Sequence, residues 1–255
     1  MAAFPEILFD FAFFPRFDEN IDQLSELAET EDWGYQNTES DYALPVLRNY
    51  VRFTYARLAE EGKIEITDDG AKAVFNSGLV TETQEPIYAM FVPNEIEGRQ
   101  PWFFSGWYRR GEYDLTDFAK LPDMANYYDN PHLLVMDVQK ELRPNLEHII
   151  ADNKERFPAP FNAMDNYMLQ TFLKGAIDNA IERVRRNYKA AIPQFHRGQV
   201  QLLLPLCISE PSRADLALVV NDHGDFYRAA TCLTLDMAYN NARQLARPDR
   251  DWLQP

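Results

Sequence analysis

Apolar residues fall into two periodicities along this chain, and they define most of its elements. Leu44, Leu47, Val51, Thr54, Tyr55 and Leu58 recur at helical spacing, with Gly62 placed to stop the helix. From Lys63 to Phe75 the pattern changes to alternation around Asp69-Gly70, a dipeptide suited to a hairpin turn. Aromatic-rich stretches at Ile87–Val92 and Trp102–Tyr108 read as further strands. Leu115 to Pro160 is irregular, with repeated Pro and Asn. The longest amphipathic helix follows from Asp165 to Lys189 through Leu169, Phe172, Leu173, Ala176, Ile177, Ala180, Ile181 and Val184. Val200–Leu206, Asp215–Val220 and Phe226–Leu233 read as strands, with Pro205 implying an edge or a bend. A closing helix starts near Leu235 and ends at Arg247, before Pro248.

These elements predict an α+β fold: a winged-helix-like N-terminal part (helix, then hairpin) followed by a mainly antiparallel sheet packed with two long helices. The expected divisions are an acidic arm over residues 1–40, a helix, hairpin and strands over 41–110, and an α+β remainder over 111–255 packed with the preceding part as one unit. Within the arm, Ile21, Leu24 and Leu27 suggest a short helix ending near Trp33-Gly34-Tyr35.

With 255 residues, 46% of them hydrophobic and 13% aromatic, the chain can bury a substantial core. It lacks a run of about 20 apolar residues or a signal-like N-terminus, so the expectation is a cytoplasmic protein with no membrane association. The net charge of −15 argues against a protein that coats duplex DNA. That charge is uneven. Residues 1–45 hold eleven acids against Arg16, whereas Lys174–Arg197 holds six cations against Asp178 and Glu182, enough to hold a phosphate-bearing ligand. Cys207 and Cys232 lie in apolar runs and read as small buried hydrophobes.

The closing helix carries the most distinctive chemistry. Leu235, Ala238, Ala242 and Leu245 form an apolar stripe, while Asp236, Asn240, Arg243 and Arg247 share another face. Asp236, Tyr239, Asn240, Asn241 and Arg243 could bind a nucleotide through a guanidinium fork, amides and a stacking ring; equally, they could tie the helix to neighbouring loops. Asn76 and Ser77, beside Gly78, offer donors in a turn where a backbone could approach a ligand closely, and a plain β-turn explains the same residues. Arg183 and Arg186, with Arg185 and Lys189, make a candidate phosphate groove or a solvated helix end. Candidate acid–base residues are His148, near Glu147 and Asp152, and Asp236. The four histidines show no ligand spacing, so neither a metal nor another cofactor is expected.

The stretches Leu47–Lys63, Val74–Leu79, His148–Pro158, Gln201–Leu206 and the closing block through Trp252-Leu253 resemble a widespread microbial family of unknown function, DUF3825, over about residues 20–253. The family pattern has Thr where this chain has Ser77. Some members resemble parts of multidomain proteins with RNA-associated modules, which implies a role with RNA or nucleotides; the resemblance brings no catalytic residues. Three functions follow as expectations: an RNA- or nucleotide-ligand-binding module, in RNA metabolism or a stress or defence response; a phosphodiesterase or nucleotide hydrolase on the same ligand class; or a regulatory factor whose acidic arm docks on a basic protein partner.

Overall fold

The computed structural model describes residues 4–248 and 252–253. The fold is α+β, built as two compact units: residues 1–34 with 40–126, and residues 35–39 with 127–255.

The first unit contains α1 (Leu8–Phe11), β1 (Ala12–Phe13), α2 (Phe17–Leu27), α3 (Pro45–Glu60), β2 (Glu65–Ile66), β3 (Ala73–Val80), β4 (Pro86–Pro93) and β5 (Trp102–Arg109). Its sheet runs β1-β5-β4-β3-β2, antiparallel except where β1 joins β5. Pro45 opens α3 at a position where a missing N–H costs nothing. At the other end Gly62 takes a left-handed φ of 66°. Register puts Phe75, Phe91 and Phe104 on one sheet face. Tyr55 of α3 meets Phe75 at 5.6 Å, Phe11 meets Tyr55 and Phe91 at 5.3 Å, and Phe14 stacks on Phe104 at 3.9 Å. The acid-rich opening stretch therefore supplies core: Leu8, Phe11, Phe14, Phe17, Ile21 and Leu24 are buried. Its acids lie on the outer side of the same turns, and Asp18 pairs with Arg48 of α3.

The helix-then-hairpin order is present, but β2 and β3 pair over only two residues and belong to the five-stranded sheet. The winged-helix comparison thus extends to the order of elements alone. On the opposite sheet face, Val74, Tyr88 and Met90 are covered by Leu115 and Phe118 from the irregular stretch after β5.

The second unit contains β6 (Glu141–Pro144), α4 (Leu146–Asn153), α5 (Asn166–Arg186), β7 (Ile192–His196), β8 (Gln199–Leu206), β9 (Leu216–Asp222), β10 (Phe226–Leu233) and α6 (Leu235–Leu245). Its sheet runs β6-β10-β9-β8-β7, with only the β6–β10 pair parallel. Asp165 caps α5, accepting from the amides of Tyr167 and Met168. Leu169, Leu173, Ala176, Ile177 and Val184 then pack on Leu202, Leu204, Leu218, Val220 and Tyr227. Pro205 pairs with Ala217 of β9 beyond the last β7–β8 pair, Ile192 with Leu203, so its missing N–H faces no partner strand. Cys232 is fully buried and burial pushes its thiol pKa up to about 12, whereas Cys207 lies just past β8, half-buried.

Two glycines give opposite expectations. Gly78 has φ 76°, and a Cβ there would lie 2.5 Å from the Tyr50 hydroxyl; Gly175, inside α5, has nothing near its Cβ position. Gly78→Ala should lower unfolding stability by about 2–4 kcal/mol, and Gly175→Ala should raise it by about 0.5–1 kcal/mol, both read by urea denaturation.

Candidate functional site

On α6 the polar face is turned to other groups of the same chain. Asp236 is 2% exposed. Its carboxylate accepts from the amides of Gln36 and Asn37 at 3.2 Å, from the Asn37 side chain at 3.2 Å and from the Thr38 hydroxyl at 2.8 Å. Asn240 donates to the Tyr35 hydroxyl at 2.7 Å and to the Asp236 carbonyl at 2.9 Å. Asn241 donates to Gln194 of β7 at 3.1 Å. Tyr239 and Arg243 are buried. Trp252 donates its indole N–H to the Ala190 carbonyl at 2.8 Å, and Leu253 is buried. The two adjacent Asn, which cost helix propensity, are thereby accounted for as ties from α6 to the loop at residues 35–38 and to β7.

In the first unit, Asn76 and Ser77 shape a bulge between β3 and β4. The Ser77 hydroxyl donates to the Ile87 carbonyl at 2.6 Å and accepts from the Leu79 amide at 3.1 Å. Asn76 accepts from the Gly78 amide at 2.9 Å and donates to the Pro122 carbonyl at 3.3 Å. What approaches Gly78 closely is the Tyr50 side chain. Asn76 nevertheless lines a cavity of about 620 Å³, together with Tyr88, Arg110, Thr116, Phe118 and Lys120.

Within that cavity Tyr88 is 4% exposed. Among the described residues its hydroxyl has no hydrogen-bond partner, and the exposed Arg110 side chain has neither a hydrogen bond nor an ion pair. Burial raises the Tyr88 phenol pKa above its ordinary value, opposed by the nearby Arg110 charge and reinforced by Asp123. The phenol is therefore a donor at neutral pH. Lys120 reaches Asp123 at 3.5 Å, both strongly exposed.

Comparison with family profiles decides the affiliation: the one described as a domain of unknown function, DUF3825, matches residues 24–252. The chain belongs to this family. Neither the curated proteins nor the solved structures yield a match.

The remaining candidates of this DUF3825 chain are spread over its second unit. Arg183 donates to the Pro211 carbonyl, Arg185 pairs with Glu182, and Arg186 is exposed at the end of α5. His148 is exposed on α4, with Nδ1 3.4 Å from Asp152 one helical turn on. Asn76 and Ser77 belong to the first unit; Asp236, Tyr239, Asn240, Arg243, Arg183, Arg186 and His148 belong to the second. Among the described residues, no group of three or more His, Cys, Asp or Glu is arranged to hold a metal ion, and no helix is long and apolar enough to cross a membrane. Sequence reasoning missed Tyr88 and Arg110. The alternation within Ile87–Val92 does place Tyr88 on the same side as Met90 and opposite Phe91, but which side faces a cavity depends on the segment after β5.

Removing the Asp236 carboxylate breaks four part-buried hydrogen bonds that hold the loop at residues 36–38 to α6. Asp236→Ala is expected to lower stability by roughly 2–4 kcal/mol, while Arg186→Ala should change it by less than about 0.5 kcal/mol, both from urea denaturation midpoints.

Proposed function

We propose that this chain is a binding module for a nucleotide-derived ligand, seated in the first-unit cavity. The observation that carries this reading is the Tyr88 hydroxyl, which lacks a protein partner although the rest of the residue is buried, in a cavity whose edge holds the unpaired Arg110. A hydrogen bond from this phenol to a ligand acceptor would contribute about 0.5–1.5 kcal/mol. The volume is in the range of small-molecule sites, and the lining divides in the manner such a ligand requires. Leu115, Phe118 and Leu121 offer an apolar wall to a base, and Arg110 and Lys120 offer cations to a phosphate. The implied role in RNA or nucleotide metabolism supports the same ligand class.

Two measurements test this reading. Mass spectrometry of small molecules released from the purified protein should find a nucleotide or nucleotide derivative. Calorimetric titration with adenosine and uridine 5′-monophosphates should show binding that Arg110→Ala weakens about tenfold or more and Tyr88→Phe weakens about threefold to tenfold. No retained nucleotide together with no binding below about 1 mM would sink the reading, as would unchanged affinity in both variants.

A further inference from the structure

The second sheet presents a face that the first-unit cavity does not involve. Cross-strand register aligns Gln194 of β7 with Gln201 of β8, and Asn221 of β9 with Arg228 of β10 and Arg143 of β6. A hydrogen bond of 2.8 Å from Gln201 to Asn221 joins the two sets into one row across all five strands. Residues directly opposite one another point to the same face, at strand spacings of about 4.8 Å.

The amides in this row form a directional chain. Asn241 of α6 donates to Gln194 at 3.1 Å, Gln194 donates to Gln201 at 2.7 Å, and Gln201 donates to Asn221 at 2.8 Å. Each carbonyl accepts from one neighbour while each NH₂ donates to the next, an arrangement in which successive bonds polarise one another. The chain ends at the Asn221 NH₂, which has no acceptor among the described residues. Next in the row, Arg228 is exposed and forms no hydrogen bond or ion pair among the described residues. Arg143 follows, its Nε 2.7 Å from Glu141 and its guanidinium carbon 4.1 Å from the Phe226 ring centroid. The exposed His223 ring stacks on the same Phe226, 5.4 Å away and within 8° of parallel. Two donors, the Asn221 NH₂ and the Arg228 guanidinium, thus lie side by side in the row without an acceptor, beside a planar ring open to solvent.

We propose that this row is a second binding site, for a single-stranded nucleic acid, with Asn221 and Arg228 on a backbone phosphate and His223 against a base. Unpaired donors beside a cation call for an acceptor-rich anion, and a ring at the edge of a flat sheet suits an unstacked base. With a net charge of −15 on the whole chain, the attraction must come from these local groups. The site lies in the second unit and stands independently of the nucleotide cavity.

The test is fluorescence anisotropy of a labelled oligouridine on the full chain, titrated across a salt series. The wild type should bind, and Arg228→Ala should weaken binding about tenfold and reduce the log–log salt slope by about 0.7, the value for one phosphate contact on a single strand. Asn221→Asp keeps the acceptor that Gln201 uses and replaces the terminal donor by an anion, so it should weaken binding at least as much. Arg185→Ala should bind as the wild type does, and thermal melts should show every variant folded. No oligouridine binding by the wild type at low salt would overturn the proposal. So would wild-type affinity in both Arg228→Ala and Asn221→Asp. Because oligouridine binding is read through Arg228 and Asn221 and mononucleotide binding through Arg110 and Tyr88, failure here and failure of the nucleotide reading are separate results.

Discussion

A carboxylate taken out of water must be surrounded by donors, and Asp236 meets that demand with the loop at residues 36–38. Much of the second unit is arranged around this requirement. Thr234 caps α6 so that Asp236 stands in its first turn, where the helix dipole favours a negative charge. Asn240, one turn on, holds Tyr35, the residue that opens the same loop. On the neighbouring side Asn241 starts the amide chain that crosses the sheet. A single acceptor side chain thus fixes a helix, a loop and, through the helix, the polar row of the sheet.

The two units use one architectural theme for different ends. Each is a five-stranded sheet in which one short edge strand runs parallel to its neighbour. In the first, β3 and β4 carry apolar residues toward both faces: aromatic rings with α3 on one side, and Leu115 and Phe118 on the other. In the second, one face is an aliphatic core under α4 and α5, and the other carries the buried Ile192, Leu203 and Val219 beside amides, guanidinium groups and histidine. Alternation along β8 is responsible: Leu202 and Leu204 point into the core, while Gln201 points away from it.

Much of the fold was legible in the sequence because its signals were local. The helices α3 and α5 and the strands β8 to β10 follow directly from apolar spacing, and Gly62 and Asp165 mark their ends as expected. The elements that escaped notice were those with weak local signals. Strand β7 contains Pro193, and β6 is four residues long with a Pro at its end. The opening stretch was weighed by its charge, although its Phe, Ile and Leu residues decide where it packs. The candidate site was harder still. Periodicity revealed that Asp236 and Asn240 are placed, but not that their partners belong to the same chain, since those partners lie far away in sequence. The Tyr88 cavity is assembled from strand ends and the stretch after β5, and no single motif contains it.

The Asp236 clasp also has a consequence for the order in which the chain is completed on the ribosome. The donors of residues 36–38 lie 198–200 positions ahead of the carboxylate they serve. All the elements of the first unit have been synthesised by residue 126, so its core can form while synthesis continues. Residues 35–39 acquire their acceptor only when α6 emerges, after every other element of both units. Contacts of such long range pay their loop-closure entropy before they return any stability. Helix α6 therefore locks what precedes it: a chain truncated before α6 would leave a loop made some 200 residues earlier, and a row of amides, without the groups that hold them.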